Sequence, residues 1–339
     1  MPRPDRRDIL ALLAACGIGT LEAAAFAPHP SRAAPPRLAQ LVVHGMPSTP
    51  SIVIERLIEA GVLAPFTDRP QLRIWRNADQ MRTGVVSGDM QVFGTPTYTC
   101  ANLLNRGVPV RQVNVLTWGL LYLLSRDPAI ERIEDIAGQA VLVAYRHDAP
   151  DLILRLVLRR LGLDPERDVR LQYVGSPSEA AQLLLAGRAT LAVLAEPAAT
   201  AAEVRAVQAG VSLRRTVDLT EVYGRLAGQP ARIPQAGLAV REEFLQQHPD
   251  VVEAIHEGCV TAARWMLDHP DAAGRLGAPL LDLGPATIAR SIPHFRLDVV
   301  SAADARGDLE RYFSELIAMS PGIVGGRLPD DRFYWGRTG

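Results

Sequence analysis

The sequence contains no lysine; all 36 of its basic residues are arginine. A lysine Schiff base to pyridoxal phosphate, a phosphate-loop lysine and a lysine general base are therefore excluded. Excess charge of one sign is also missing. The 36 basic residues meet 37 acidic ones without any run of like charge, which argues against a nucleic-acid surface and a polybasic membrane patch. Beyond the N-terminal segment, no apolar run is long enough to span a membrane. Cysteine is scarce. Cys16, Cys100 and Cys259 stand far apart, and no CxxC, HExxH or clustered His/Cys spacing supports a metal site. No cofactor is expected, and no GxSxG elbow argues for hydrolysis.

What is present is a large apolar fraction, 48% of 339 residues, enough for a substantial core and for two lobes rather than one simple domain. Arg6 and Arg7 directly precede the apolar stretch Ile9 to Gly19, and small residues follow through Ala27. Residues 1–33 therefore read as a twin-arginine export signal, cleaved after Ala33 with Ser31 at minus three. This places the mature protein in the periplasm. Leu13-Ala14-Ala15-Cys16 is a lipobox-like rival that would make Cys16 a lipid anchor. In an oxidising compartment Cys100 and Cys259 read as two buried free thiols or a disulfide pair.

From about residue 40, short apolar strands alternate with capped helices, a pattern that predicts crossover connections, an α/β fold and a largely parallel sheet. Ser176, Pro177 and Glu179 spell a capping box and an early helical proline. The stretch Gly94-Thr95-Pro96-Thr97, a strand end opening a helix, is repeated in kind at Ala195-Glu196-Pro197. Open α/β sheets bind ligands beyond the carboxyl ends of their strands, so such corners are the candidate site.

Four corners qualify. They are Pro47-Ser48-Thr49, Gly94-Thr95-Pro96-Thr97, Tyr145-Arg146-His147-Asp148 and Ala195-Glu196-Pro197. Each also reads as an ordinary helix cap. Two ligand chemistries remain open. Arg146 with the hydroxyls of Ser48, Thr95 and Thr97 suits an anion. Asp148 and Glu196 as acceptors, with Tyr98, Trp118 and Tyr145 around a flat ring, suit a pyrimidine or an amine-bearing solute.

The run Asp135 to Ala202 resembles periplasmic solute-binding proteins of ABC importers, in the branch that serves nitrate, taurine, alkanesulfonates and thiamine-pyrimidine precursors. The matching pieces are Asp135-x-x-Gly138, Gly162-Leu163-Asp164-Pro165, the segment Tyr173 to Ala180, and Ala192-x-Leu194-x-Glu196-Pro197; Ser87 to Val113 adds a weaker match. The resemblance implies a type II periplasmic-binding-protein fold with a cleft between two lobes. Lobe one would comprise residues 34–124 and 234–339 and lobe two residues 125–233, with crossings near Leu123 to Arg126 and Gly228 to Pro234. It further implies a monomeric binding protein, not an enzyme, that captures a small-molecule ligand and delivers it to an inner-membrane permease with its ATPase. The alternative is a ring-bearing solute or a related enzyme on the same fold. Relatives commonly carry glycine and threonine where this chain has Tyr145-Arg146-His147.

Overall fold

The computed structural model describes residues 37–336; the expected export signal, with Arg6, Arg7 and Cys16, lies outside the described residues. Strand β1 (Leu41–Gly45) leads into α1 (Pro50–Glu59), β2 (Pro70–Ile74) into α2 (Ala78–Ser87), and β3 (Val92–Pro96) into α3 (Thr97–Asn105). Then come β4 (Val110–Gln112), β5 (Asn114–Thr117) and β6 (Leu121–Ser125). Strand β7 (Ala140–Ala144) leads into α4 (Ala149–Arg160), β8 (Arg170–Val174) into α5 (Pro177–Leu185), β9 (Leu191–Ala195) into α6 (Ala198–Gln208), and β10 (Arg214–Asp218) into α7 (Leu219–Ala227). The chain closes with β11 (Ala236–Arg241), α8 (Glu242–Gln247), α9 (Pro249–Asp268), α10 (Pro270–Leu281), α11 (Pro285–Ser291), β12 (Leu297–Ser301) and α12 (Arg306–Met319).

Two sheets result. The first runs β12-β5-β11-β3-β1-β2, with β4 also paired to β11; the second runs β10-β6-β9-β7-β8. Strands joined by helical crossovers are parallel, as in β1 with β2 and β3, and β7 with β8 and β9. The remaining pairs are antiparallel, so the sheets are more mixed than the alternation predicts. The reason is where the chain changes sheet. Strand β5 ends at Thr117 and β6 begins at Leu121, and this three-residue passage enters the second sheet at the edge where β7 and β9 end, since Leu121 pairs with Ala195. Strand β11 likewise re-enters the first sheet at the edge where β3 and β5 end, with Ala236 beside Pro96 and Thr117. A strand entering from the carboxyl edge must run against the crossover strands.

The first passage therefore lies at Trp118-Gly119-Leu120, ahead of the expected Leu123 to Arg126, and β6 is a strand of the second lobe. The return falls between α7 and β11.

Local signals act as the sequence suggests. The Ser176 side chain accepts from Glu179 N at 3.1 Å, while the Glu179 carboxylate reaches past the cap to accept from Gly175 N at 2.8 Å. On α4 the inward face Leu152, Ile153, Leu156 and Val157 is buried. Cys100 and Cys259 are free and buried; burial pushes the Cys259 thiol up to about 12 and Cys100 higher. Among the described residues no helix is long and apolar enough to cross a membrane, and no His/Cys/Asp/Glu group is placed to hold a metal ion.

Gly237 marks the tightest approach in the first sheet. A Cβ there would stand 1.8 Å from the backbone oxygen of Asn114, so β5 and β11 could not keep their spacing. Gly237→Ala is expected to cost about 1–3 kcal/mol of stability, read from the urea midpoint; an unchanged midpoint would contradict this packing.

Candidate functional site

The carboxyl edges of the two sheets face one another across the passage at Trp118 to Leu120. On the first lobe, the end of β3 is stitched to the return segment. Thr97 N donates to Gln235 O at 3.0 Å and Thr97 Oγ1 to Pro234 O at 2.5 Å, while Gln235 N donates to Thr117 O at 3.0 Å. Thr49, Thr95, Thr97 and Thr117 are fully buried and Gln235 nearly so. The Thr97 hydroxyl is thus used, and that of Thr95 makes only a 3.3 Å contact to its neighbour Pro96 O. Thr49 Oγ1, Thr117 Oγ1 and Gln235 Oε1 have no hydrogen-bond partner among the described residues. Thr49 occupies the N-cap position of α1 yet its side chain makes no capping bond, and α3 begins behind Pro96 without a side-chain cap. Buried polar atoms left unpaired cost about 1–3 kcal/mol each, and these three stand together on one edge of one sheet. Ser48 lies beside them, half-buried in the β1 to α1 turn.

The facing corner of lobe two is held in an uncommon backbone. Tyr145 (φ 59°) and His147 (φ 64°) both adopt the left-handed region, rare for side chains of this size. The turn is fixed by Asp148 N donating to Tyr145 O at 3.2 Å and by His147 N donating to the buried Asp151 Oδ2 at 2.8 Å. Asp148 caps α4, accepting from Ala149 N at 2.8 Å, and also accepts from the Tyr98 hydroxyl of lobe one. Burial, then the Asp148 charge, hold the Tyr98 phenol well above its usual range, so it remains the donor. Tyr98 and Asp148 thereby join the lobes across the cleft.

The structure does not bring Arg146 to the lobe-one hydroxyls. Tyr145, Arg146 and His147 are exposed, and the Arg146 guanidinium stacks 5.2 Å from the ring of Tyr173 on the adjacent strand β8. Trp118 is not an open stacking face. It is 2% exposed, its Nε1 donates to Asp298 O at 2.8 Å, and Arg232 covers its ring at 3.5 Å. With Tyr145 outside and Trp118 sealed, the expected aromatic sandwich with Tyr98 is not assembled.

Glu196 is likewise committed within its own lobe. Its fully buried carboxylate pairs with Arg215 at 2.5 Å and accepts from Thr200 N at 3.2 Å and Thr200 Oγ1 at 3.1 Å. Arg215 also pairs with Glu203 at 2.9 Å and stacks 4.2 Å from the Tyr122 ring. Burial raises the Glu196 carboxyl above its ordinary range, with Arg215 pulling it back. Glu196 is thus held within lobe two by Arg215 and Thr200.

Further contacts tie the lobes near the passage. Trp118 N donates to Arg296 O at 2.8 Å and Arg296 N to Gly119 O at 3.0 Å, while the Arg296 side chain pairs with Asp218 at 3.0 Å and with Glu221. The Tyr122 hydroxyl donates to His294 O at 2.7 Å. A cavity of about 380 Å³ lies between the ends of β1 and β9, lined by Pro47, Ser178, Pro197, Arg205 and Asp282 among others. The sequence reading missed Thr117 and Gln235. Their signal is positional: each stands at an end of a passage between sheets, and this is visible only once β5 and β11 are paired.

Comparison with known proteins fits this geometry. Residues 119–278 match the NMT1-like family. No curated protein matches the sequence. Among solved structures, an ABC transporter from Parabacteroides distasonis superposes with a TM-score of 0.74 at 21% identity, covering 89% of this chain and 100% of that one. The periplasmic aliphatic sulphonate binding protein SsuA from Escherichia coli gives 0.69 at 14% identity, covering 89% and 93%. The periplasmic nitrate-binding protein NrtA from Synechocystis PCC 6803 gives 0.62 at 13% identity, covering 84% and 83%. The chain therefore carries the NMT1-like family match over residues 119–278 on the two-lobed α/β fold of the periplasmic binding proteins.

Proposed function

We propose that this chain is the extracytoplasmic solute-binding component of an ABC importer and that it captures a small organic anion by closing its lobes. The observation that carries the reading is the set of unpaired buried atoms on the lobe-one edge, Thr49 Oγ1, Thr117 Oγ1 and Gln235 Oε1, beside the uncapped starts of α1 and α3. Threonine hydroxyls and helix-start amides donate to an oxyanion. The Gln235 amide oxygen accepts a hydrogen bond from an amino or hydroxyl group on the same solute. An anion bearing such a donor, an aminoalkanesulfonate for example, would use all three. The named ligands of two structural neighbours, an aliphatic sulphonate and nitrate, are oxyanions of this kind.

Closure is a population shift driven by contacts the solute makes only when both lobes surround it. The Tyr98 to Asp148 bridge helps hold the closed arrangement. In this reading the chain works as a monomer in the periplasm, delivers its solute to a membrane permease powered by an ATPase, and catalyses no reaction. The structural neighbours include an ABC transporter and periplasmic sulphonate- and nitrate-binding proteins. Calorimetric titration with taurine, ethanesulfonate, nitrate and an aminopyrimidine tests the solute class. Heat from at least one oxyanion supports the reading, and heat from the aminopyrimidine alone would reject it in favour of a ring-bearing solute.

A further inference from the structure

A second cavity, of about 860 Å³, opens between α3 of lobe one and α4 of lobe two. Its size falls in the range of about 300–1,000 Å³ that suits a whole small molecule. Tyr98 lines it, but none of Thr49, Thr95, Thr97, Thr117 or Gln235 does, so it is separate from the cleft edge described above. One wall is apolar, made by Leu103, Val108, Leu152, Met319 and Ile323. Val86, a valine left 59% exposed, belongs to the same lining.

The charged part of the lining is mainly cationic. Arg82, Arg106, Arg155 and Arg159 face one carboxylate, Glu166. That carboxylate is spent on Arg155 at 2.5 Å, and the other donors of Arg155 go to Asp151 and Tyr173, each at 2.6 Å. Arg82 has a 3.4 Å contact with the exposed Asp79. Arg106 and Arg159 pair with no carboxylate among the described residues, whereas their neighbours Arg155 and Arg160 do. Arg106 ends α3 and Arg159 lies in the last turn of α4, where helix dipoles favour a cation. The dipoles explain the arginines but not the apolar wall they flank.

We propose that this cavity is a second binding site, for an amphiphilic organic anion whose carboxylate or sulfonate head is balanced by Arg106 and Arg159 and whose apolar body lies on Leu103, Leu152 and Ile323. Because its walls come from both lobes, the occupant loses contacts when the lobes part. It therefore favours the joined state and strengthens cleft binding, and the cleft solute strengthens its binding in return. The site does not depend on the identity of the cleft solute.

The test is titration of the full chain with 8-anilinonaphthalene-1-sulfonate, followed by fluorescence, with decanoate and acetate as competitors at equal ionic strength. Saturable binding displaced by decanoate and not by acetate is expected. Arg106→Ala with Arg159→Ala should weaken it about tenfold, the scale of losing two solvent-exposed charge contacts. Val86→Asp, at an exposed position that leaves folding intact, should weaken it as well, and Thr117→Val should not change it. Unaltered probe binding in the arginine pair or in Val86→Asp, with native circular dichroism, would overturn the proposal. So would displacement by acetate as effective as by decanoate, or loss of the probe in Thr117→Val, which would place it in the cleft.

Discussion

Arg215→Ala is expected to destabilise the protein by about 3–5 kcal/mol near neutral pH, the scale of leaving a buried charge without its partner. Glu196 has no exposed side-chain surface, and Arg215 is its cation, at 2.5 Å. Thr200 alone would remain to hydrogen-bond the carboxylate. The sign of the pH dependence follows from the same pair. Burial raises the Glu196 carboxyl and Arg215 is the largest influence lowering it, so the variant should raise it further. A carboxyl raised on folding contributes most to stability below its unfolded value of about 4.3 and loses that contribution as pH rises through its folded value. The deficit of Arg215→Ala should therefore shrink on acidification from neutral pH. Adding Glu196→Gln, which removes the stranded charge, should recover much of the loss. Urea unfolding at several pH values measures all three, and a deficit that is small at neutral pH or that grows on acidification would contradict the assignment.

Thr117→Val should do the opposite to stability while it disables binding. In the ligand-free chain it removes a buried hydroxyl that has no partner among the described residues, and an isosteric apolar replacement at such a site is neutral or stabilising by up to about 1 kcal/mol. Under the proposed function that hydroxyl donates to the anion, and its loss should cost about 1.5–3 kcal/mol of binding, the worth of a hydrogen bond to a charged group. Thr49→Val should behave alike, because its hydroxyl is equally buried and equally unpaired. The paired result, weaker calorimetric affinity with an undiminished melting temperature, separates a ligand contact from a structural one. Reduced stability with unchanged affinity would mean that Thr117 serves the fold.

How much of this was legible in the sequence depended on the range of the contact. Ser176 and Glu179 act within four residues, so their cap could be read directly. The corners holding Thr49, Thr95 and Thr97 could be located because a strand end followed by a helix start is a local pattern. Thr117 and Gln235 could not, since they meet only through the pairing of β5 with β11 across more than a hundred residues. The ion pair of Glu196 was hidden for the same reason. Its partner Arg215 sits on β10, which reaches β9 only through the intervening β6, an order that helix and strand alternation does not reveal. The placement of Arg146 over Tyr173 was hidden for a different reason. Two left-handed residues, Tyr145 and His147, flank it, and no propensity argument anticipates them at positions without glycine. The mixed direction of both sheets was hidden by the short passage at Trp118 to Leu120, whose consequence is topological rather than local.

Solution X-ray scattering tests the central claim most directly, using the full chain alone and saturated with the oxyanion that binds most tightly by calorimetry. Capture between two lobes requires that the radius of gyration fall on saturation, and that Tyr98→Phe, which removes the hydroxyl bridging to Asp148, shift the ligand-free profile toward the more open form. A profile that does not change at saturation, in the native chain and in Tyr98→Phe alike, would contradict capture by lobe closure.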